Sequence, residues 1–291
     1  MSRRLAAAAL GLMLALPALA APRAPEAPEA AGETRIIWHG HAAFEIVTPR
    51  GHVLMIDPWL GNPRNPAAGD GRDPLAAVKR LDYVLVTHGH FDHVGDAVAL
   101  ARRTGARLVA SFELGTNMAA VLGFPRERMG FDTLMNVGGE ITVADGEVTI
   151  AMVPAVHSGG LRVPEPAPGT PAVVYGGPAT GFVLRIRGGP TIYHTGDTAY
   201  FRDMEEIGER HRPDLALINV GGHFGMEPAA AVRAAVAVRA RLAVPHHYGT
   251  FPVLTQAPEG FARAARAAGV PVRVLRPGET LVFRGRRPAG P

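Results

Sequence analysis

The chain of 291 residues has no cysteine, and Lys79 is its only lysine. No disulfide can form, even in an oxidising compartment, and no cysteine is available to carry a lipid anchor. A transition-metal site would therefore be built from imidazole and carboxylate, a donor set that suits zinc, manganese or iron. Blocks of basic residues interleaved with aromatics are also missing. The formal charge of +4 includes Arg3 and Arg4; without them it is 4 − 2 = +2, which gives no footprint for nucleic acid. No self-similar period of 20 to 50 residues is visible, which argues against a solenoid.

Apolar residues make up 47% of the chain and charged residues 19%, enough to bury a substantial core. Twenty-six prolines and 35 glycines promise many turns. At the N-terminus Arg3 and Arg4 precede an apolar run from Leu5 to Ala20, which closes on Ala18-Leu19-Ala20. That order of charge, apolar stretch and small residues reads as a signal peptide over 1–20, cleaved near Ala20, so the mature protein is expected to be periplasmic or secreted. The run is short for a membrane span and is interrupted by Pro17, so no stable membrane anchor is expected. Ser2-Arg3-Arg4 faintly resembles a twin-arginine signal. Residues 21–32 are rich in Pro, Ala and Glu without apolar periodicity and read as a flexible linker, leaving one domain over 33–291.

From Glu33 the pattern predicts a meander of three strands at Thr34–Trp38, Ala43–Thr48 and His52–Ile56. A short helix near Pro74–Arg80, a strand at Leu81–Val86, a helix near Asp96–Arg103 and a strand at Arg107–Ala110 follow. A second β-rich stretch covers Glu140–Val156, turning at Asp145-Gly146. After a Gly/Pro-rich insert at Gly159–Gly181 come strands at Phe182–Ile186 and Thr191–His194. Then strands at Leu215–Val220, Leu242–Val244 and Val272–Leu275 alternate with helices at Pro228–Arg239 and Pro258–Ala268. Two halves that each run from strands into helices fit paired sheets with helices outside.

The chemistry concentrates in Thr87-His88-Gly89-His90-Phe91-Asp92-His93, which leaves the end of an apolar strand. His88 and His90 at i and i+2 point to one side of an extended segment, and Gly89 allows a tight bend between them. Asp92 and His93 begin the next turn and can serve a second point nearby. Packing alone does not explain three histidines within six residues after a buried strand.

This segment resembles the His-x-His-x-Asp-His signature of metallo-β-lactamase-fold hydrolases. Pro154-Ala155-Val156-His157-Ser158, Thr195-Gly196-Asp197-Thr198 and His246-His247-Tyr248-Gly249-Thr250-Phe251 resemble the remaining family motifs in order. The resemblance spans about Thr34 to Arg284 and implies an α+β, four-layer αββα sandwich. It implies one divalent ion, most simply zinc, held by His88, His90 and His157. A second would be held by Asp92, His93 and His247, with Asp197 between them. His246 is the alternative to His247. Open positions on such an N/O shell suit a catalytic site, where metal binding lowers the pKa of water from about 16 to near 7 and so supplies a hydroxide.

Trp38-His39-Gly40-His41-Ala42, Ile56-Asp57-Pro58-Trp59 and Gly221-Gly222-His223-Phe224 are most similar to the branch that contains ascorbate-6-phosphate lactonase and uncharacterised metal-dependent hydrolases. Asp57 is expected to orient a liganding imidazole, and His41 to lie near the pocket. Asp92 and His223 are the candidate catalytic groups, with His223 positioned to stabilise an oxyanion or shuttle a proton. His194 is expected to be buried and hydrogen-bonded. The Gly159–Gly181 insert is expected to form a rim beside the metals, with Arg162 and Tyr175 facing a small-molecule substrate. The resulting expectation is a dinuclear hydrolase of an ester, lactone or amide. A phosphodiesterase, an iron oxygenase of the same fold and a non-catalytic metal-binding module are the alternatives.

Overall fold

A computed structural model describes residues 32–69 and 71–289. The signal peptide and all but the last residue of the linker lie outside the described residues. The first half comprises β1 (Glu33–Trp38), β2 (Phe44–Val47), β3 (Val53–Ile56), β4 (Tyr83–Leu85), α1 (Phe91–Val94), α2 (Ala97–Thr104), β5 (Arg107–Ser111), α3 (Phe112–Asn117) and β6 (Leu134–Met135). The second comprises β7 (Glu140–Val143), β8 (Val148–Pro154), β9 (Gly160–Arg162), β10 (Val173–Tyr175), β11 (Thr180–Ile186) and β12 (Thr191–His194), followed by α4 (Met204–His211), β13 (Leu215–Asn219), α5 (Pro228–Ala237), β14 (Ala243–His246), α6 (Glu259–Ala267), β15 (Thr280–Arg284) and β16 (Arg287–Pro288).

The strands form one sheet in the order β16-β15-β1-β2-β3-β4-β5-β6 and another in the order β14-β13-β12-β11-β8-β7, with β9 and β10 as a separate hairpin. Side-chain alternation shows how they stack. Leu54, Ile56, Leu85 and Val109 join a core shared with Ile150, Met152, Phe182 and Leu184 of the second sheet. Their neighbours Val53, Met55, Val84, Leu108 and Ala110 join a different core with Leu100 and Ala101 of α2 and Leu114 of α3. The first sheet thus has one face on the second sheet and the other under helices, as period-two strands buried on both faces require. Met204 and Ile207 of α4, Ala231, Ala234 and Ala235 of α5 and Phe261 of α6 cover the second sheet, completing the four-layer αββα sandwich expected from the sequence. Fully burying a side chain such as Phe44 or Phe182 contributes about 1.5–3 kcal/mol, so the layer between the sheets gives the loops at its edge a firm frame. Among the described residues no helix is long and apolar enough to cross a membrane.

The meander and the strands flanking the site form where the pattern predicts. Several elements differ from the sequence reading. The segment near Pro74 is only a 3₁₀ turn, Pro74–Ala77, capped by Asp73, too short for the helix expected to Arg80. Val272 makes a single bridge to Ala243 instead of extending into a strand. The short, glycine-containing helices α3 and α4 carry too little apolar periodicity to have been read. The Gly159–Gly181 insert is not a plain loop, because Val173, Val174 and Tyr175 pair with Arg162, Leu161 and Gly160.

Candidate metal centre

The parallel strand pairs bring several carboxyl ends to one edge of the sandwich. Ile56 of β3 pairs with Leu85 of β4, placing Asp57 beside the loop that carries Thr87 and His88. In the other sheet His194 pairs with Leu217, and Asn219 with His246, so the segments after β12, β13 and β14 deliver Asp197, Gly221 and His247 together. His41, Asp57 and His247 have φ of +49°, +47° and +64°. Non-glycine residues avoid that region unless their surroundings hold them there, and all three lie in this one cluster.

His88 Nε2 lies 2.9 Å from His90 Nδ1, which lies 3.3 Å from His157 Nε2. Three imidazole nitrogens thus converge with no carboxylate needed to explain it. Beside them, Asp197 Oδ2 sits 3.0 Å from His247 Nε2, 3.3 Å from His93 Nε2 and 3.8 Å from His157 Nε2. Asp197 therefore touches histidines of both expected sets. Asp92 Oδ2 lies 3.7 Å from His247 Nε2. The structure brings together all seven residues expected to be ligands, and their donor atoms form overlapping groups of cation-holding size.

A single carboxylate sets two tautomers. Asp57 can only accept, so His93 Nδ1 donates to its Oδ2 at 2.8 Å, leaving His93 Nε2 aimed at the cluster. Thr87 Oγ1 donates to the same Oδ2 at 2.7 Å and must accept the 3.0 Å bond from His88 Nδ1, which leaves His88 Nε2 bare as well. Asp57 also accepts from the Thr87 backbone N–H at 2.8 Å. The carboxylate expected to orient one imidazole therefore orients two.

The charges in the cluster favour an added cation. Burial pushes His88, His90 and His157 below the ordinary histidine value, so they offer neutral lone pairs. Burial opposes charge on His93 too, but Asp197 and Asp57 outweigh it and hold its pKa well above normal. Where two carboxylates stabilise a proton so strongly, a metal ion is stabilised by the same field. His93 Nε2 and both ring nitrogens of His247 are buried without a hydrogen-bond partner, an arrangement that costs energy and that coordination relieves. The residues present thus fit a bound metal.

His41 falls within reach of the second group, but both its nitrogens are engaged. Nε2 donates to Asp92 at 2.9 Å, and Nδ1 meets Thr250 Oγ1 at 2.7 Å. Burial and the neighbouring His247 push its pKa down to about 4, so it is a neutral partner that orients Asp92. Burial raises the Asp92 pKa, yet the His41 bond and the charge of His93 prevail and hold it well below the usual range. His246 points away from the cluster, its ring stacked at 4.7 Å on His194, so His247 is the one that reaches the site. His194 is buried and bonded, with Nε2 donating to the Ala42 carbonyl at 3.1 Å and Nδ1 accepting from Gly196 N–H at 3.0 Å.

The structure does not bring His223 to the cluster. It is exposed and packs edge-on against Phe224 at 4.6 Å, because Gly222 at φ +71° turns the chain outward. Phe224 takes its place in the wall of a cavity of about 610 Å³, lined also by His90, Phe91, Asp92, His157, Ser158, Asp197, His247, Phe251, Pro252 and Val253. Arg162 and Tyr175 are not among its lining residues either, although Ser158, just ahead of the insert, is.

The Beta-lactamase superfamily domain family, Lactamase_B_2, matches residues 52–248, a span that holds the whole cluster except His41. A UPF0173 metal-dependent hydrolase of Anaeromyxobacter sp. (strain K) is 49% identical over 255 residues, covering 87% of this chain and 88% of its own. The chain belongs to the UPF0173 metal-dependent hydrolases of the β-lactamase superfamily. The UPF0173 protein of Thermodesulfovibrio yellowstonii is 40% identical over 245 residues, covering 84% of this chain and 90% of its own. Among solved structures, Igni18, a metallo hydrolase from the archaeon Ignicoccus hospitalis KIN4/I, superposes with a TM-score of 0.73 at 33% identity, over 86% of this chain and 98% of its own.

In this UPF0173 protein several supporting groups were not picked out from sequence. Asn219 donates to Asp197 Oδ1 at 2.6 Å and accepts from Gly221 N–H at 2.9 Å. Its signal was a polar residue closing an otherwise apolar strand. Gly221 has its own reason to lack a side chain, since a Cβ there would sit 2.7 Å from His247 Nδ1 and 2.8 Å from the His247 carbonyl oxygen. Gly221→Ala is therefore expected to displace His247 and weaken metal affinity about 10- to 100-fold, the range for losing an orienting contact. Metal titration of the variant checks this, and wild-type affinity would refute it. Gly89 likewise serves close approach more than bending: its Cβ would meet the Gly159 and Gly160 carbonyl oxygens at 3.0 Å.

Proposed function

We propose that this protein is a dinuclear metal-dependent hydrolase of ester, lactone or amide bonds in a small-molecule substrate. The observation that carries this reading is Asp197, whose Oδ2 lies within reach of His157 on one side and of His93 and His247 on the other. His88, His90 and His157 would hold one divalent ion and Asp92, His93 and His247 the other. Bound there, two ions supply a water of near-neutral pKa and a Lewis acid for the oxygen of the scissile group.

The chain's own groups do the rest. Asp57 fixes the imidazole tautomers, and Asn219 fixes Asp197. Asp92, ionised and facing the cavity, receives the proton released on attack at Oδ1, while His41 holds Oδ2 in place. Phe91, Phe224 and Phe251 offer an apolar wall beside the reacting atoms, so a substrate seated on them displaces water from the centre and strengthens each polar interaction there. The phosphodiester alternative is less well supported, because no Lys or Arg lines the cavity. Export rests on the N-terminal sequence pattern, Arg3-Arg4 followed by the Leu5–Ala20 run.

The test is reconstitution. Chelated protein is expected to lose hydrolysis of aryl esters and lactones and to regain it as Zn²⁺ or Mn²⁺ is titrated to two equivalents, with elemental analysis giving the same stoichiometry. Saturation at one equivalent would remove the dinuclear assignment, and full activity after chelation would remove the metal from the reaction.

A further inference from the structure

The cavity above the cluster is unusual in what its wall is made of. Apart from the expected ligands, its lining is Phe91, Ser158, Phe224, Phe251, Pro252 and Val253. Phe91 and Phe224 are each 54% exposed, and Val253 57%. Large apolar side chains left this open around a polar centre mark a surface meant to be covered.

The aromatic part is braced from behind. Trp59 stacks on Phe251 with centroids 5.6 Å apart and planes 13° from parallel. It meets Phe91 edge-on at 5.8 Å, and Phe91 meets Phe251 at 6.1 Å. His41, the partner of Asp92, touches the same wall through Trp59 at 5.1 Å and Phe251 at 5.8 Å. The apolar wall therefore adjoins the reactive centre, and a group seated on the aromatics lies beside Asp92 and Asp197.

We infer that the substrate is a neutral acyl compound, an ester, lactone or amide, carrying an apolar group of aryl or medium-alkyl size that docks on the Phe91–Phe251 wall that Trp59 backs. This rests on the hydrolytic reading above and deepens it. The cavity volume suits a small drug-sized molecule. No Lys or Arg lines the cavity, so no side-chain cation stands there to hold an anionic tail. Ser158 Oγ, 3.2 Å from His90 Nε2, is the one hydroxyl among the lining side chains.

The experiment uses the Zn²⁺- or Mn²⁺-loaded protein and p-nitrophenyl esters of acetate, butyrate, hexanoate and the anionic succinate, with bis(p-nitrophenyl) phosphate alongside. kcat/KM should climb about fourfold per methylene from acetate to hexanoate, as burial of each CH₂ dictates, and succinate should fall well below butyrate. Phe251→Ala should flatten that climb. Val253→Lys, at an exposed position where folding is not at stake, should narrow the gap between butyrate and succinate. A second readout does not depend on turnover: 4-phenylbutanol should perturb Trp59 fluorescence at lower concentration than 4-phenylbutyl phosphate. Turnover without the chain-length trend, or with succinate preferred, overturns the substrate class alone. Turnover of no ester, with matched lactones and anilides equally inert, overturns the hydrolytic reading, and the substrate class with it.

Discussion

Asp197→Ala is expected to lower ester or lactone hydrolysis by roughly a thousandfold or more and to leave less than one equivalent of tightly held metal. Outer-shell partners cost about 10- to 100-fold when removed, and Asp197 is closer than that: its Oδ2 approaches His247, His93 and His157 at 3.0, 3.3 and 3.8 Å. Without it two cations would face each other with one fewer negative group to offset their repulsion. The remaining oxygen contact, Asn219 Nδ2 to Oδ1 at 2.6 Å, would also lose its acceptor. Burial penalises the Asp197 charge, yet His247 and His93 outweigh burial and hold its pKa well below normal, so it is ionised throughout the working range. Activity and metal content within tenfold of wild type would dismiss its bridging role.

Asp57→Ala should cost the most stability of any single change near the site. Three buried donors would lose their acceptor at once: His93 Nδ1–H, the Thr87 hydroxyl and the Thr87 backbone N–H, now at 2.7 to 2.8 Å. An unsatisfied buried donor costs about 1–3 kcal/mol, so three sum to roughly 3–9 kcal/mol, a large part of the ~5–15 kcal/mol available to a domain. Alanine also tolerates φ +47° less well than aspartate. Asp57→Asn separates the effects, since it accepts the left-handed backbone but presents an N–H₂ where an acceptor is needed. It should fold better than the alanine variant and still bind metal about 10- to 100-fold more weakly. Urea unfolding of the metal-free proteins and metal titration give the two numbers. Equal stability of Asp57→Ala and wild type would refute the account of the hydrogen-bond hub.

The residues that cluster at the candidate metal centre were legible in the sequence because their signals are local: an imidazole spacing of two, a turn of Gly196 before Asp197, a tyrosine after His247. The layers were legible because apolar runs in β3 and β4 declare burial on both faces. His223 misled because two glycines before a histidine say that a chain bends without saying which way. Residues that act through partners far along the chain stayed hidden. Thr87 matters because Asp57 lies 30 positions away, and Thr250 because His41 lies 209 away. The aromatic wall was equally invisible, as Trp59, Phe91 and Phe251 share no segment and meet only when the loops at the sandwich edge are in place.

The strand β15 lies against β1, with Ile36 opposite Leu281 and Thr34 opposite Phe283. The first segment of the domain to be synthesised thus waits for nearly the last before its outer edge is paired. His247 also comes late, after both sheets have most of their strands. A product terminated before His247 would therefore lack both the strand that closes this edge and a residue of the candidate metal cluster.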